Sequence, residues 1–207
     1  MMENRSRLII SGAGKFYERN IERVSMPDRL NETLIQFYLG LSPDPEGRML
    51  RDIWSWSFEN LEHVHNYIQW LFPLNEPSRF NLGAPVLKRE AIRSFRTDPK
   101  LRENLLASLK VMLKFYGFEI LPQDVAGADV RIKIAKTINF HERKRNWLTP
   151  GNHNFLRLTR ILKSLRLLGL SEYALPLYDA LEDLYINEAA NIIGSLTFHY
   201  WQTAIRE

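Results

Sequence analysis

Two sets of polar side chains in this sequence fall at spacings that would let them act together. Glu62, His65 and Gln69 are three and four residues apart. On a helix turning about 100° per residue, they share one side. Further along, His153, Arg157, Arg160 and Ser164 recur at the same kind of interval, with Asn154 beside the first of them. That second stripe borders an apolar arc of Phe155, Leu158, Ile161, Leu162 and Leu165. A polar stripe beside an apolar arc can meet a partner helix and still keep its polar heads together. If the two stripes face each other, the sequence predicts that Glu62 neutralises Arg157 or Arg160, with His65, His153 and Gln69 completing the network. Such a network is either a structural joint between two helices or a site for a peptide or small anionic ligand. Two arginines one turn apart near a helix N-terminus attract an anion through charge and dipole together.

Other chemistries find less support. Glu62 and His65 form the E-x-x-H pair used in carboxylate di-metal bundles, but such sites need a second pair, and the chain has no other E-x-x-H. No metal or cofactor is predicted. Ser11-Gly12-Ala13-Gly14-Lys15 lacks the spacing of a phosphate loop, and Phe16 follows the lysine. The chain has no His-Glu-x-x-His, Gly-x-Ser-x-Gly or Gly-x-Gly-x-x-Gly motif. An enzyme reading therefore rests on His65 or His153 as general base, with the arginines holding an anionic substrate.

The elements that must position these residues read as helices. The 207 residues include 45% hydrophobic and 25% charged side chains, with five Trp, eight Tyr and eleven Phe, enough for one packed domain. Residues 1–26 have weak periodicity and are expected to be loosely attached, ahead of a single helical domain over 27–207. Met26-Pro27-Asp28 opens a helix through Leu39. Ser57 is a credible N-cap for a helix running to Leu71. Lys88–Phe95 forms a short helix, and Asp98-Pro99 starts a longer one that Gly117 closes after Tyr116. Residues 121–129 read as a loop, with Val130–Ile134 the one short run of strand character. Asn152 caps a helix through Leu168, Ser171 begins another with Pro176 in it, and a last helix spans Asn187–Ile205. The predicted fold class is all-α, a multi-helix bundle-like single domain. Trp54, Trp56, Tyr67, Trp70 and Phe72 are expected in its core, with an aromatic recognition surface as the alternative.

Charge is uneven. The net value is +4, yet Arg131–Arg166 holds ten Lys or Arg against the single acid Glu142, while the stretch from Leu167 onward is acidic with Arg206 as its one base. Mutual neutralisation within the fold is the simpler expectation, and a basic surface for nucleic acid is the other. Cysteine is absent, no signal-peptide core is present, and no apolar run is long enough to span a bilayer, so the sequence predicts a soluble cytoplasmic protein.

Several longer blocks carry a family resemblance. Leu61-Glu62-His63-Val64-His65-Asn66-Tyr67-Ile68-Gln69-Trp70-Leu71-Phe72-Pro73-Leu74 with Glu76-Pro77, then Met112–Gly117, Asn146-Trp147, His153–Leu165 and Leu168-Gly169-Leu170, occur in order between Asp52 and Leu184. Together they resemble the conserved N-terminal domain of the opioid growth factor receptor family. The resemblance implies a receptor for an enkephalin peptide, associated with nuclear and perinuclear membranes in vertebrates, or a bare-domain microbial member. It supplies no catalytic residues. Three functional readings stand at this level: a binding module for a peptide or small anion, an enzyme built on the His/Arg/Glu set, and a nucleic-acid binder using 131–166.

Overall fold

The computed structural model describes residues 26–123 and 131–206. Residues 1–25 of the expected loose N-terminal segment, Gly12–Lys15 among them, lie outside the described residues, and Met26 already belongs to the first helix. Helices dominate: α1 (Met26–Tyr38), α2 (Leu50–Trp54), α3 (Phe58–His63), α4 (Ile68–Leu71), α5 (Arg89–Thr97) and α6 (Pro99–Tyr116) precede a hairpin. Strands β1 (Phe118–Gln123) and β2 (Arg131–Lys136) pair antiparallel, with Phe118 opposite Lys136 and Gln123 opposite Arg131. Then come α7 (Phe140–Trp147), α8 (Asn154–Leu167), α9 (Ser171–Leu184), a π turn over Tyr185–Ala189, α10 (Ala190–Ile193) and α11 (Ser195–Arg206).

The boundaries of α6 follow from local chemistry. Asp98 Oδ1 accepts from the backbone N–H of Lys100 (2.7 Å), and Pro99 occupies the first helical position, where its missing N–H costs nothing. Gly117 ends the helix at φ +86°. A Cβ there would come within 2.9 Å of the Phe140 backbone, so this position needs glycine for conformation and for space. Leu101, Leu105, Leu109, Met112 and Tyr116 fall at helical spacing and are buried. They share one core with Phe155, Leu158, Ile161, Leu162 and Leu165 of α8 and with Leu177, Leu181 and Leu184 of α9. Of the aromatic cluster, Tyr67, Trp70 and Phe72 are buried in the same core, while Trp54 and Trp56 pack against it half-buried.

Three expectations need correction. The helix read from Ser57 to Leu71 is two helices: α3 ends at His63, and Val64 turns extended (φ −82°, ψ 130°) before α4 begins at Ile68. The loop read from residue 121 starts later, because β1 continues to Gln123. A strand exists through its partner, and single-strand propensity missed this one. The helix expected over Asn187–Ile205 is interrupted by the π turn and then by Gly194 (φ 77°, ψ 153°), a backbone region open to glycine alone.

Candidate functional site

α8 brings its polar stripe against the ends of two short helices. Asn152 Oδ1 accepts from the Asn154 backbone N–H at 2.9 Å and fixes the start of α8, with His153 at the N-cap. One turn in, Arg157 is 5% exposed, and its guanidinium reaches the C-terminus of α3. Nη1 donates to Leu61 O (2.8 Å), and Nη2 donates to Val64 O (2.9 Å) and Glu62 O (3.2 Å). A helix of six residues leaves most of its carbonyls without internal partners, and the planar fork of arginine supplies donors and a positive charge where the dipole is negative. The same interaction explains the corrected helix boundary: carbonyls held by Arg157 are not carried forward into another helical turn.

One further turn on, the pattern repeats. Arg160 Nη1 donates to Phe72 O (3.1 Å), the C-cap carbonyl of α4. Ser164, fully buried, donates to Pro73 O at 3.0 Å. Burial pulls the Arg160 guanidinium below the usual arginine range, and the Glu76 charge opposes that shift. The α8 stripe therefore closes two helix ends in succession.

Glu62 departs from its expected partner. Its carboxylate forms no ion pair with Arg157 or Arg160 among the described residues. Instead Oε2 accepts from Asn154 Nδ2 (2.9 Å), and Oε1 faces His153 Nε2 at 3.6 Å. Arg157 already meets its acceptors on the backbone, so Glu62 is left for the edge of the cluster. His65 reaches the same place, with its ring 4.9 Å from that of His153. Side-chain exposure is 21% for Glu62 and 39% for His153, and His65 is exposed. Burial depresses the His153 pKa, helped by the Arg157 and His65 charges and opposed by Glu62. Gln69 is not brought in: it lies buried on α4, and its Oε1 has no hydrogen-bond partner among the described residues.

Sequence reasoning missed two members. Tyr116 donates to Asn154 Oδ1 (3.3 Å), the oxygen that also accepts from Arg157 Nη1 (3.2 Å). Tyr67 donates to Leu61 O (2.9 Å) and lies under the Arg157 guanidinium, 5.5 Å from ring centre to Cζ. Burial holds both phenols above the usual tyrosine range, so they remain neutral donors. A buried tyrosine needs a partner for its hydroxyl, and the Tyr116 position at the end of an apolar helix was the available signal.

The basic segment is largely spent inside the molecule. Lys136 pairs with Glu188 (2.5 Å) and Asp183 (3.3 Å), Lys144 with Glu188 (3.3 Å) and Lys163 with Glu76 (3.0 Å). Arg143 is buried, donates to Phe115 O (3.0 Å) and lies over the Phe58 ring. Among the described residues no group of three or more His, Asp or Glu side chains is placed to hold a metal ion. No helix among them is long and apolar enough to cross a membrane.

Comparison with known proteins gives these features a context. The family model described as the opioid growth factor receptor conserved region matches residues 28–207. The rat opioid growth factor receptor is 35% identical over 166 residues, covering 78% of this chain and 27% of the relative. Rat opioid growth factor receptor-like protein 1 is 35% identical over 179 residues, covering 84% and 36%. The human receptor is 32% identical over 166 residues, covering 78% and 23%. The chain thus spans about a quarter to a third of the length of these relatives. No solved structure matches it. With the match running from α1 to the last residue and taking in both helix ends that α8 closes, the chain belongs to the opioid growth factor receptor conserved-region family.

Proposed function

We propose that this chain is a binding module that takes a peptide at the outer edge of the polar cluster, through Glu62, His65 and His153. One observation carries the reading: the Glu62 carboxylate accepts from Asn154, while its other oxygen lies 3.6 Å from His153 Nε2, buried and unpaired among the described residues, with the exposed His65 ring against that of His153. A fixed, partly desolvated carboxylate next to histidines is suited to a cationic group such as a peptide amino terminus. The arginines favour an anion less, because Arg157 donates to three carbonyl oxygens and Arg160 to a fourth. The name of the relatives, receptors for an opioid growth factor, is in keeping with a binding role. Asn154, Arg157, Arg160 and Ser164 then serve as the frame that positions the three outer side chains, and Gln69 stays outside the site.

Calorimetric titration with short peptides bearing a free amino terminus, against their N-acetylated forms, tests this. Free-amino peptides are expected to bind, and Glu62→Ala is expected to weaken them about tenfold or more. Equal binding of acetylated peptides, or stabilisation by inorganic phosphate alone, would sink the reading.

A further inference from the structure

The hairpin and α9 enclose a second feature, away from the α8 stripe. A cleft of about 560 Å³ is lined by Phe118 and by five consecutive residues of β2, Ile132 to Lys136, with Pro176, Asp179, Ala180 and Asp183 of α9 across from them. A strand seen face-on presents alternate residues, so an unbroken run of five means the cleft also looks onto the strand edge. That edge is open. Thr137 donates its backbone N–H to Gly117 O at 2.9 Å, which makes Gly117 and Thr137 a hydrogen-bonded pair. Bonded and non-bonded pairs alternate along an antiparallel ladder. The backbone groups of Lys133 and Ala135 therefore turn toward β1, and those of Ile132, Ile134 and Lys136 turn away from it, toward the cleft. The sheet has two strands, and among the described residues no other backbone group bonds to Ile132, Ile134 or Lys136.

The opposite wall is negatively charged. Asp183 is engaged with Lys136 and Asn187. Asp179 is exposed and makes no hydrogen bond or ion pair among the described residues. Burial and the neighbouring Glu182 raise its pKa, the response of a carboxylate that lacks a counter-charge. Lys136 is satisfied by Glu188 and Asp183, Lys133 is the other base in the lining and does not offset the raised Asp179 pKa, and the chain beyond Leu167 contributes Arg206 as its one base. The cleft thus offers free strand donors and acceptors on one side and an uncompensated acid on the other.

From this juxtaposition we infer that the cleft between β2 and α9 is a strand-addition site for an extended peptide segment carrying lysine or arginine. The segment adds to the free edge of β2 through its main chain and places a basic side chain against Asp179. Main-chain pairing supplies affinity for any extended segment, and the acid selects the basic ones. This site is independent of the Glu62 surface.

The test uses the full chain and a fluorescein-labelled hexapeptide alternating lysine with valine or threonine, followed by anisotropy and by backbone amide shifts. Binding is expected, with shifts at Ile132, Ile134 and Lys136. The same peptide with glutamate for lysine is expected to bind about tenfold more weakly, and Asp179→Asn to weaken the lysine peptide about fivefold. N-methylation of alternate peptide amides, made in both registers, removes binding in one register without altering the protein. Asp179 is a surface residue, so D179N keeps the melting temperature of the parent chain. Equal affinity for lysine and glutamate peptides, or for both N-methylated forms, overturns the proposal. So do shifts confined to Glu62, His65 and His153, and so does a self-associated dimer that closes this edge and that the peptide does not disperse.

Discussion

His153 and Arg157 stand four residues apart on one stripe of α8, yet their surroundings share little. Arg157 is 5% exposed, and every donor it directs at α3 finds a carbonyl oxygen between 2.8 and 3.2 Å away. The His153 side chain is 39% exposed and reaches Glu62 only at 3.6 Å. Burial separates the roles. A polar group whose donors are all met by the protein becomes part of the frame, whereas one left unpaired, as His153 Nε2 is among the described residues, can hold something that arrives later. Identical spacing along a helix therefore does not make a site, and the division between frame and rim runs across the stripe.

Substitutions that act on the frame should greatly exceed those on the rim. Arg157→Met strands the Glu62 and Val64 carbonyls beneath α8 and leaves Leu61 O to Tyr67 alone, and urea unfolding is expected to show a loss of about 3 kcal/mol. Arg157→Lys should lose about 2 kcal/mol, because an ammonium cannot span the three acceptors; a loss under half that would place the weight elsewhere in the cluster. Asn154→Ala, at a fully buried position that links Glu62, Tyr116 and Arg157, is expected to cost about 2–3 kcal/mol in the same measurement. Ser164→Ala leaves Pro73 O unpaired and should cost about 1 kcal/mol.

Effects at the rim are smaller. The His153 pKa lies below its unfolded value, so the unfolded chain takes up the proton first as pH falls. Its contribution is fully present above the ordinary histidine value and declines as pH drops from there through the lowered folded one. His153→Gln should flatten that part of the stability curve, followed by thermal melts between pH 5 and pH 7.5 in steps of about half a unit. His65→Ala should leave stability within about 0.5 kcal/mol while weakening peptide binding at Glu62. A large stability loss at His65 would erase the distinction between rim and frame.

The elements that could be read in advance are those whose signals are local. Asp98, Pro99 and Gly117 set α6 from within about twenty residues, and the apolar spacing along α6 and α8 marked the core. The meeting of Glu62, His65 and His153 was posed as a condition, because both stripes bordered apolar arcs, and the folded chain brings these three together. What escaped depended on distant partners. The division of α3 from α4 is stabilised by a guanidinium 93 to 96 positions away, and β1 is a strand because β2 lies beside it. Apolar periodicity through Leu61, Val64, Ile68 and Leu71 suggested one helix, and it carried Gln69 into a stripe that the folded chain does not form. The ion pair expected between Glu62 and an arginine failed for the same reason: backbone oxygens, which no side-chain pattern displays, took the arginine first.

A segment as short as α3 has no persistence of its own, since six residues barely exceed the nucleus of a helix. Its order is borrowed from α8, which is made much later along the chain. Isotope exchange at the amides of residues 61–63 should therefore be slow only while α8 is docked, at a rate set by opening of the whole domain and not by local fraying. The surface that displays Glu62 and His65 would then form and vanish together with the core, leaving no partly folded species in which the rim exists without its frame.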